Sequence, residues 1–588
     1  MSINTARPPN FALLVALAWC LVVVQLLLQS WDDTARTLRD TDDAMRLVQM
    51  RAWLAGQGWF DLHEARLQPP AGYDSHWSRL IDVGLAGLFL SLHSIADQAL
   101  AERLMRTIWP LLWLLPTIGG MVAIAWRLAG RQVALVALLL AMLGIPAYQQ
   151  FTPGRIDHHN VQIALTMLTV AATVWSDRLR WTASAAGALS GLALAIGFES
   201  LPYVAVCAAA FALRYVVDAR AGDALRHYSL ALAASAGVAF LVSVAPQNWT
   251  RPLCDAIAIN IAAAVITGGL GLAAAARFVF ARNLHRGVVV GGAAIFALAV
   301  FAAIEPRCLA GPFANVEQAL WPIWLGDVRE MQPLTRVFRL TPLIGAAIAA
   351  FPIMALVSAL VLTREPSLRR DFAFLTSVAA FALAAVAAIA AIRSFSYATW
   401  LGMPLVAAFS LRLFATLKLT SVPARVIAGL LLTPMVLSSG AITIAAAIGF
   451  DDDDSFGRPE TEHCRETASY AALARPPAGL VVADVSFGPF LLALTPHSVM
   501  AAPYHRLSAG ILIAHRGLAE PPKRARDVLL QAGADYVMIC GPRPPDGLAE
   551  PARSRSLWAQ LQAGRVPDWL HHLPQNPGEA FSVYRITR

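Results

Sequence analysis

A chain of 588 residues that is 57% hydrophobic and 14% charged, with a mean hydropathy of +0.56, is ill-suited to water, because soluble domains carry about 25% charged residues. Its formal charge of +8 would fit a nucleic-acid partner in a soluble protein, but the positive residues are spread through short breaks between apolar runs, and no Lys/Arg block with interleaved aromatics occurs. Nucleic-acid binding is excluded on that ground, and a lipid bilayer is the environment this composition requires.

In chain order, the first apolar run extends from about Phe11 to Leu28. It exceeds the roughly 7 to 15 residues of a cleaved signal core. It also continues into Gln29, Ser30 and Trp31 instead of a small-residue cleavage site, so it reads as a retained first helix. Crossing a bilayer takes about 20 apolar residues, and about thirteen runs qualify. They lie near 11–30, 104–126, 133–150, 161–176, 182–198, 201–217, 229–246, 256–276, 287–304, 342–362, 372–392, 398–416 and 426–449.

Arg127 with Arg131, Arg178 with Arg180, Arg220 with Arg226, Arg282 with Arg286, Arg364 with Arg369 and Arg370, and Lys418 with Arg425 occupy alternate connections. Those connections, and the N-terminus, are expected to be cytoplasmic. The opposite loops, above all 31–103 and 305–341, then face outward with everything after Phe450. Residues 80–96 (LIDVGLAGLFLSLHSIA) are apolar enough to span, but counting them would invert every later loop. They read as a helix in or near the outer leaflet, part of the first outer loop.

The expected organisation is a membrane domain over 1–450 and an outward-facing α/β domain over 451–588. The second begins at the acidic run Asp451 to Asp454, where composition turns Pro-rich and mixed. GLVVADV and DYVMICG read as short buried strands, with RARDVLLQAG as a helix between them. Cys20 and Cys207 lie in apolar runs and read as small buried hydrophobes. Cys464 and Cys540 fall in the outward region, where an oxidising compartment permits a disulfide, and Cys254 and Cys308 are a second candidate pair.

Three outward stretches carry residues suited to chemistry. DTDDAMRL places Asp40, Asp42, Asp43 and Arg46 within two helical turns; taken alone, such a cluster is most often a solvated acidic face. FTPGRIDHHNVQI places Asp157, His158, His159 and Asn160 at a helix start. Asp157 or Asn160 would each serve as a cap, but capping does not account for two histidines. An Asp and a His two apart can converge on a divalent ion where the turn is irregular. Such a set suits Mn²⁺ or Zn²⁺ better than Mg²⁺, although carboxylates with waters and phosphates also hold Mg²⁺. WLGDVREMQPL adds Asp327, Glu330 and Gln332 before the tenth run. All three stretches fall on one side of the membrane by an orientation drawn from arginines alone.

At these residues the chain resembles the catalytic subunits of the oligosaccharyltransferases, eukaryotic, archaeal and bacterial, which are GT-C glycosyltransferases. Their first outer loop has an essential Asp, an Arg soon after, a Gly, and Pro-Pro-Gly-like and Trp-x-x-Leu-x-Asp segments. Here the order is Asp42, Arg46, Gly58, Trp59, Asp61, Pro69, Pro70, Gly72, Trp77, Leu80 and Asp82. Their second outer loop reads Gly-x-x-Asp-x-acid, matched by Gly154, Arg155, Ile156, Asp157, His158 and His159, with His in the final place. Their fifth outer loop is matched by Val328, Arg329, Glu330, Met331, Gln332 and Pro333, and Arg393 in AIRSFSYATW takes the place of an Arg that meets the carrier phosphates.

The resemblance implies a GT-C type α-helical polytopic membrane protein with a small C-terminal α/β extracytoplasmic domain, in a bacterial inner membrane. It implies metal-dependent, inverting transfer of a sugar or oligosaccharide from a polyprenyl-(pyro)phosphate donor to a glycan, lipid or protein acceptor. Asp42, Asp157 and His159 would hold Mn²⁺ or Mg²⁺, Arg393 and His158 would meet the donor phosphate, and Asp42 and Glu330 would act on the acceptor. Asp43, Arg46, Trp77, Gln332 and His505 are further candidates. The outer domain departs from the family. Its Trp-Trp-Asp-Tyr-Gly acceptor reader is replaced by Asp484, Val485, Ser486, Phe487 and Gly488, without either tryptophan. Tyr504, His505 and Arg506 are polar groups able to face the site. The rival reading, a transporter or flippase, calls for ionisable groups near the membrane midplane, and Glu199, expected at a helix end, is the interior candidate.

Overall fold

The computed structural model describes residues 10–277, 280–452, 463–541, 544–545, 547–575 and 579–588; Asp453 and Asp454 lie outside them. Every expected apolar run is helical. Among the described residues, eight helices are long and apolar enough to cross a bilayer, or ten if each of two bent pairs is one span. The shorter helices His159–Trp175, Trp181–Ile196 and Ile259–Ala275 occupy the remaining positions. The chain is a multi-pass membrane protein.

Two spans are broken where the sequence alone suggested continuous runs. Arg131–Met142 and Ile145–Phe151 meet at 70°, and Val422–Leu431 and Pro434–Ala447 at 56°. Each break lies just before a proline, Pro146 or Pro434, which removes a helical N–H and clashes with the preceding turn. The second span starts earlier than its apolar run, because Asp97 accepts the N–H of Leu100 at 2.9 Å and caps the helix Gln98–Ala129. The first helix, Phe11–Ser30, is seated on that helix, with the indole N–H of Trp19 donating to the Leu111 carbonyl at 2.7 Å. Residues 80–96 form the 15-residue helix Arg79–His93, too short to span and buried on one face through Ile81, Leu85 and Phe89.

Close packing in the bundle depends on small residues. A Cβ on Gly187 would sit 2.1 Å from the Tyr228 carbonyl oxygen, and one on Gly191 would sit 2.5 Å from Ser235 Oγ, so helix Trp181–Ile196 meets Gly222–Ser243 nearly backbone to backbone. At one end of the bundle the arginine-bearing connections converge. Arg127 pairs with Asp177 and with Asp371, and Arg412 lies 3.1 Å from Glu365.

At the other end, the first outer loop carries the helix Thr41–Leu54 and a small antiparallel pair, β1 (His63–Glu64) with β2 (Tyr73–Asp74). The C-terminal region forms a five-stranded sheet from β3 (Leu480–Val482), β4 (Ser498–Val499), β5 (Tyr536–Cys540), β6 (Leu570–His572) and β7 (Phe581–Ile586), in the order β4-β3-β5-β7-β6. β3 runs parallel to β4 and β5, and β7 is antiparallel to β5 and β6. The helix expected in RARDVLLQAG spans Pro522–Gln531. The region shares one apolar core with the outer loops, joining Leu47, Trp77 and Ile156 to Val482, Phe490 and Tyr504. Arg51 ties helix Thr41–Leu54 to helix Gly488–Leu494 by donating to the Ala493 carbonyl at 2.7 Å.

Both candidate cysteine pairs are disulfides, Cys254–Cys308 and Cys464–Cys540. Cys207 is buried as expected; Cys20, expected to be buried, is instead exposed on the flank of the first helix. Alkylation of the denatured, unreduced chain is therefore expected to label two cysteines, Cys20 and Cys207, and mass spectrometry after reduction should reveal the other four.

Candidate functional site

Asp40 precedes helix Thr41–Leu54 and accepts the Thr41 N–H at 2.7 Å. The helix start set by that cap carries Asp42 and Asp43 toward the second outer loop. Asp43 is 1% exposed, and its Oδ1 accepts the N–H groups of Ile156 and Asp157 at 2.7 and 3.0 Å. Arg155 donates to Asp40 at 2.7 Å and to Asp43 at 3.2 Å. Burial pushes the Asp43 carboxyl up to about 7, with Arg155 opposing. Asp43 thus fixes the Asp157 backbone from a separate helix. An Asp43→Ala change strands two backbone donors and part of a buried guanidinium, so a loss of about 3 kcal/mol is expected, read as a lower melting temperature in detergent.

Asp157 Oδ1 accepts the N–H of His158 at 2.6 Å and also faces His158 Nδ1. Oδ2 lies 3.1 Å from His159 Nε2 and is buried without a hydrogen-bond partner. Neither Asp157 nor Asn160 caps the following helix in the usual way: Asp157 bonds the N-cap residue, and Asn160 donates to the Arg155 carbonyl at 3.0 Å. Ligand-capable atoms of Asp157, His158 and His159 all lie within 4.8 Å of one another. Burial, followed by the carboxylates of Asp157, Asp40 and Glu330, pushes Asp42 well above the ordinary carboxylate range, with His159 opposing. Burial acts on Asp157 in the same direction, yet the charges of His158, His159 and Arg155 outweigh it and hold that carboxyl well below the usual range.

Crowded carboxylates are the surroundings a divalent cation stabilises. Asp157 Oδ2, which has no hydrogen-bond partner, and the imidazole of His159 beside it are donors of the right chemistry, so these residues fit such an ion. His159 is oriented for that task by its other nitrogen, since Nδ1 lies 2.9 Å from Glu199 Oε2, the arrangement by which carboxylates commonly set a metal-binding histidine.

Glu199 sits in the turn Phe198–Ser200 between helices Trp181–Ile196 and Leu201–Val217. It receives the hydroxyl of Tyr397 at 3.3 Å and pairs with Arg393 at 3.3 Å. Arg393 lies 4.0 Å from Glu330 as well, and 29% of its side chain is exposed, so a ligand can reach it. The turn that bears Arg393 is held by the Ile392 N–H donating to the Gln332 carbonyl at 3.0 Å.

Asp42, Asp157, His158, His159, Glu330 and Arg393 are thus brought together from four stretches of chain. Gln332 supports the fifth outer loop: it is 3% exposed, donates to the carbonyls of Gly326 and Val328 at 2.8 and 3.0 Å, and accepts from Arg336 at 2.8 Å. The Asp327 side chain lies outside the described residues. Arg46 is fully buried, 3.0 Å from Asp82 and with its guanidinium 4.5 Å from the Trp77 ring centroid. Trp77 in turn faces His158 and Tyr504 at centroid distances of 6.0 and 5.4 Å. His505 is bonded to Asp255 at 2.7 Å in a neighbouring cluster.

Glu199 as the partner of His159, Tyr397, and the Asp40–Asp43–Arg155 brace were not assigned from sequence. The available signal for Glu199 was a carboxylate flanked by apolar runs, which is costly unless paired.

No family model matches the sequence, and neither does any curated protein. Solved structures do match. The archaeal oligosaccharyltransferase AglB from Archaeoglobus fulgidus, in complex with an inhibitory peptide and a dolichol-phosphate, superimposes with a TM-score of 0.65 at 14% identity, covering 90% of this chain and 69% of that one. The chain has the oligosaccharyltransferase fold. The A. fulgidus oligosaccharyltransferase in complex with Zn and sulfate gives a TM-score of 0.56 at 14% identity, covering 90% and 68% of the two chains. The same enzyme tethered to an acceptor peptide with the NVT sequon gives 0.57 at 13% identity, with 90% and 69% covered. In this oligosaccharyltransferase fold the acidic and imidazole cluster lies between the bundle end and the C-terminal sheet region.

Proposed function

We propose that the chain is a GT-C glycosyltransferase of a bacterial inner membrane. It moves a sugar or oligosaccharide from a polyprenyl-(pyro)phosphate donor to an acceptor at the periplasmic face, with inversion and with Mn²⁺ or Mg²⁺ as cofactor. The observation that carries the reading is the cluster of Asp157, His158 and His159, within electrostatic reach of Asp42 and joined through Glu199 to the reachable guanidinium of Arg393. The outward placement of this end is supported by both disulfides lying there, as an oxidising compartment requires, and by the arginine-bearing connections lying at the opposite end.

Asp42, Asp157 and His159 would hold the cation, which when bound supplies positive charge to the phosphate leaving group. Arg393 binds phosphate oxygens with a planar, permanently charged fork, and its contacts with Glu199 and Glu330 keep it aimed at the cluster. His158, between Asp157 and Trp77, lies where a donor phosphate could meet it. Glu330, with Asp42, orients the acceptor hydroxyl or amide and accepts its proton. A single displacement of the phosphate inverts the anomeric carbon.

The acceptor is a surface glycan or lipid more readily than a protein sequon. Ser486 stands where the family has its acceptor-reading aspartate, and the nearby Asp484 carboxylate accepts the Ser486 N–H at 2.9 Å and caps its own turn. In membranes given a radiolabelled polyprenyl-linked sugar, transfer should stop with EDTA, return with Mn²⁺ or Mg²⁺, and place label in the glycan or lipid fraction. EDTA-insensitive transfer would contradict the metal assignment, and label in sequon peptides alone would contradict the acceptor assignment.

A further inference from the structure

We propose that His76, Asp255 and His505 form a second divalent-metal site, of zinc type, that clasps the C-terminal region to the membrane domain. The three come from separate places: His76 from the first outer loop, Asp255 from the segment braced by the Cys254–Cys308 disulfide, and His505 from the C-terminal region. Each offers one ligand atom, and these atoms all lie within 4.8 Å of one another. Neighbouring ligands on a tetrahedral zinc are roughly 3.3 Å apart at Zn–N and Zn–O bonds of about 2.0 to 2.2 Å, so small side-chain rotations complete the set.

The local contacts leave a candidate donor atom on each of the three residues. The Tyr73 hydroxyl meets His76 Nδ1 at 3.4 Å, which leaves Nε2 for a metal. The His76 and His505 rings approach to 4.7 Å between centroids in an edge arrangement, and Phe313 packs edge-on against His505 at 5.4 Å. His505 Nε2 and Asp255 Oδ2 are already 2.7 Å apart. Arg506 donates to both oxygens of Asp255, at 2.7 and 2.8 Å. A carboxylate oxygen has two lone pairs, so Oδ2 can keep the Arg506 bond and present the other pair to zinc; ligating carboxylates are usually hydrogen-bonded in this way. Side-chain exposures of 14% for His505 and 10% for Asp255 shield the site while leaving an approach from water. Two imidazoles and a carboxylate with a fourth position for water suit zinc better than magnesium or calcium, which prefer all-oxygen sets.

The clasp borders the first cluster without sharing a ligand. Trp77, next to His76 in the chain, faces His158, and Tyr504, next to His505, packs on both Trp77 and Tyr73. Zinc here would therefore set how the C-terminal region sits over the candidate active site. The proposal does not depend on glycosyl transfer.

The test is zinc titration of the purified, EDTA-stripped full-length chain in detergent, in an Asp157→Asn background that disables the first cluster. One zinc equivalent per chain is expected, bound at least ten-fold more weakly after His76→Gln or His505→Gln. His76→Gln leaves the His505–Asp255–Arg506 bonds in place, so its melting temperature without metal should match the parent, which separates lost ligation from misfolding. Cobalt substitution gives a parallel readout: visible bands of low-symmetry Co²⁺ should appear in the background and vanish in His76→Gln. Absence of a zinc equivalent in Asp157→Asn, or unchanged affinity and cobalt spectrum in His76→Gln, would overturn the proposal and leave a hydrogen-bonded junction.

Discussion

An Asp157→Asn variant should fold, insert and lose glycosyl transfer by roughly three orders of magnitude, corresponding to about 4 kcal/mol of transition-state stabilisation. Folding should survive because asparagine keeps an oxygen to accept the His158 N–H now bonded at 2.6 Å. The backbone N–H at 157 remains on Asp43 as well. What disappears is the negative charge on the oxygen that is buried and unpartnered beside His159. Transfer measured at saturating Mn²⁺ should stay low, because the ligand itself is gone; activity within a few-fold of the parent would remove Asp157 from the mechanism.

Glu199→Gln should behave differently. The amide can still bond His159 Nδ1 and Tyr397, but it no longer supplies the charge that orients the imidazole and pairs with Arg393. Partners of this kind are worth about 10- to 100-fold in metal affinity. The half-saturating Mn²⁺ concentration should rise by that factor, and excess Mn²⁺ should recover much of the rate. Any deficit that persists at saturating Mn²⁺ should appear as a raised KM for the lipid-linked donor, since Arg393 loses its 3.3 Å partner and keeps only Glu330 at 4.0 Å. An unchanged metal requirement together with an unchanged donor KM would show that Glu199 positions neither group.

The helices were legible because hydropathy is a local property: twenty apolar residues in a row announce a span whatever they later touch. The bends at Pro146 and Pro434 were legible in principle through proline, but apolar continuity across each break concealed them. The strands in GLVVADV and DYVMICG stood out as short apolar runs between turn residues, whereas β6 and β7, with patterns broken by charged and polar residues, did not. Side-chain partnerships were the least legible. Asp42, Asp157 and Glu330 could be marked as candidates, but the brace from Arg155 to Asp43 joins residues 112 apart, and the bond from His505 to Asp255 joins residues 250 apart. Nothing in either local stretch encodes its mate, because the pairing is created by how the helices bring the loops together. Arg46 illustrates the same point. It stands in the motif that carries the resemblance, yet the structure places it fully buried against Asp82 and Trp77.

The most direct measurement is an anomalous difference map at the manganese edge from crystals of the detergent-purified chain soaked in Mn²⁺. A peak bonded to Asp42, Asp157 and His159, within reach of Arg393, is the predicted result. Manganese bound elsewhere, with those three side chains carrying no density at full soak, would contradict the account.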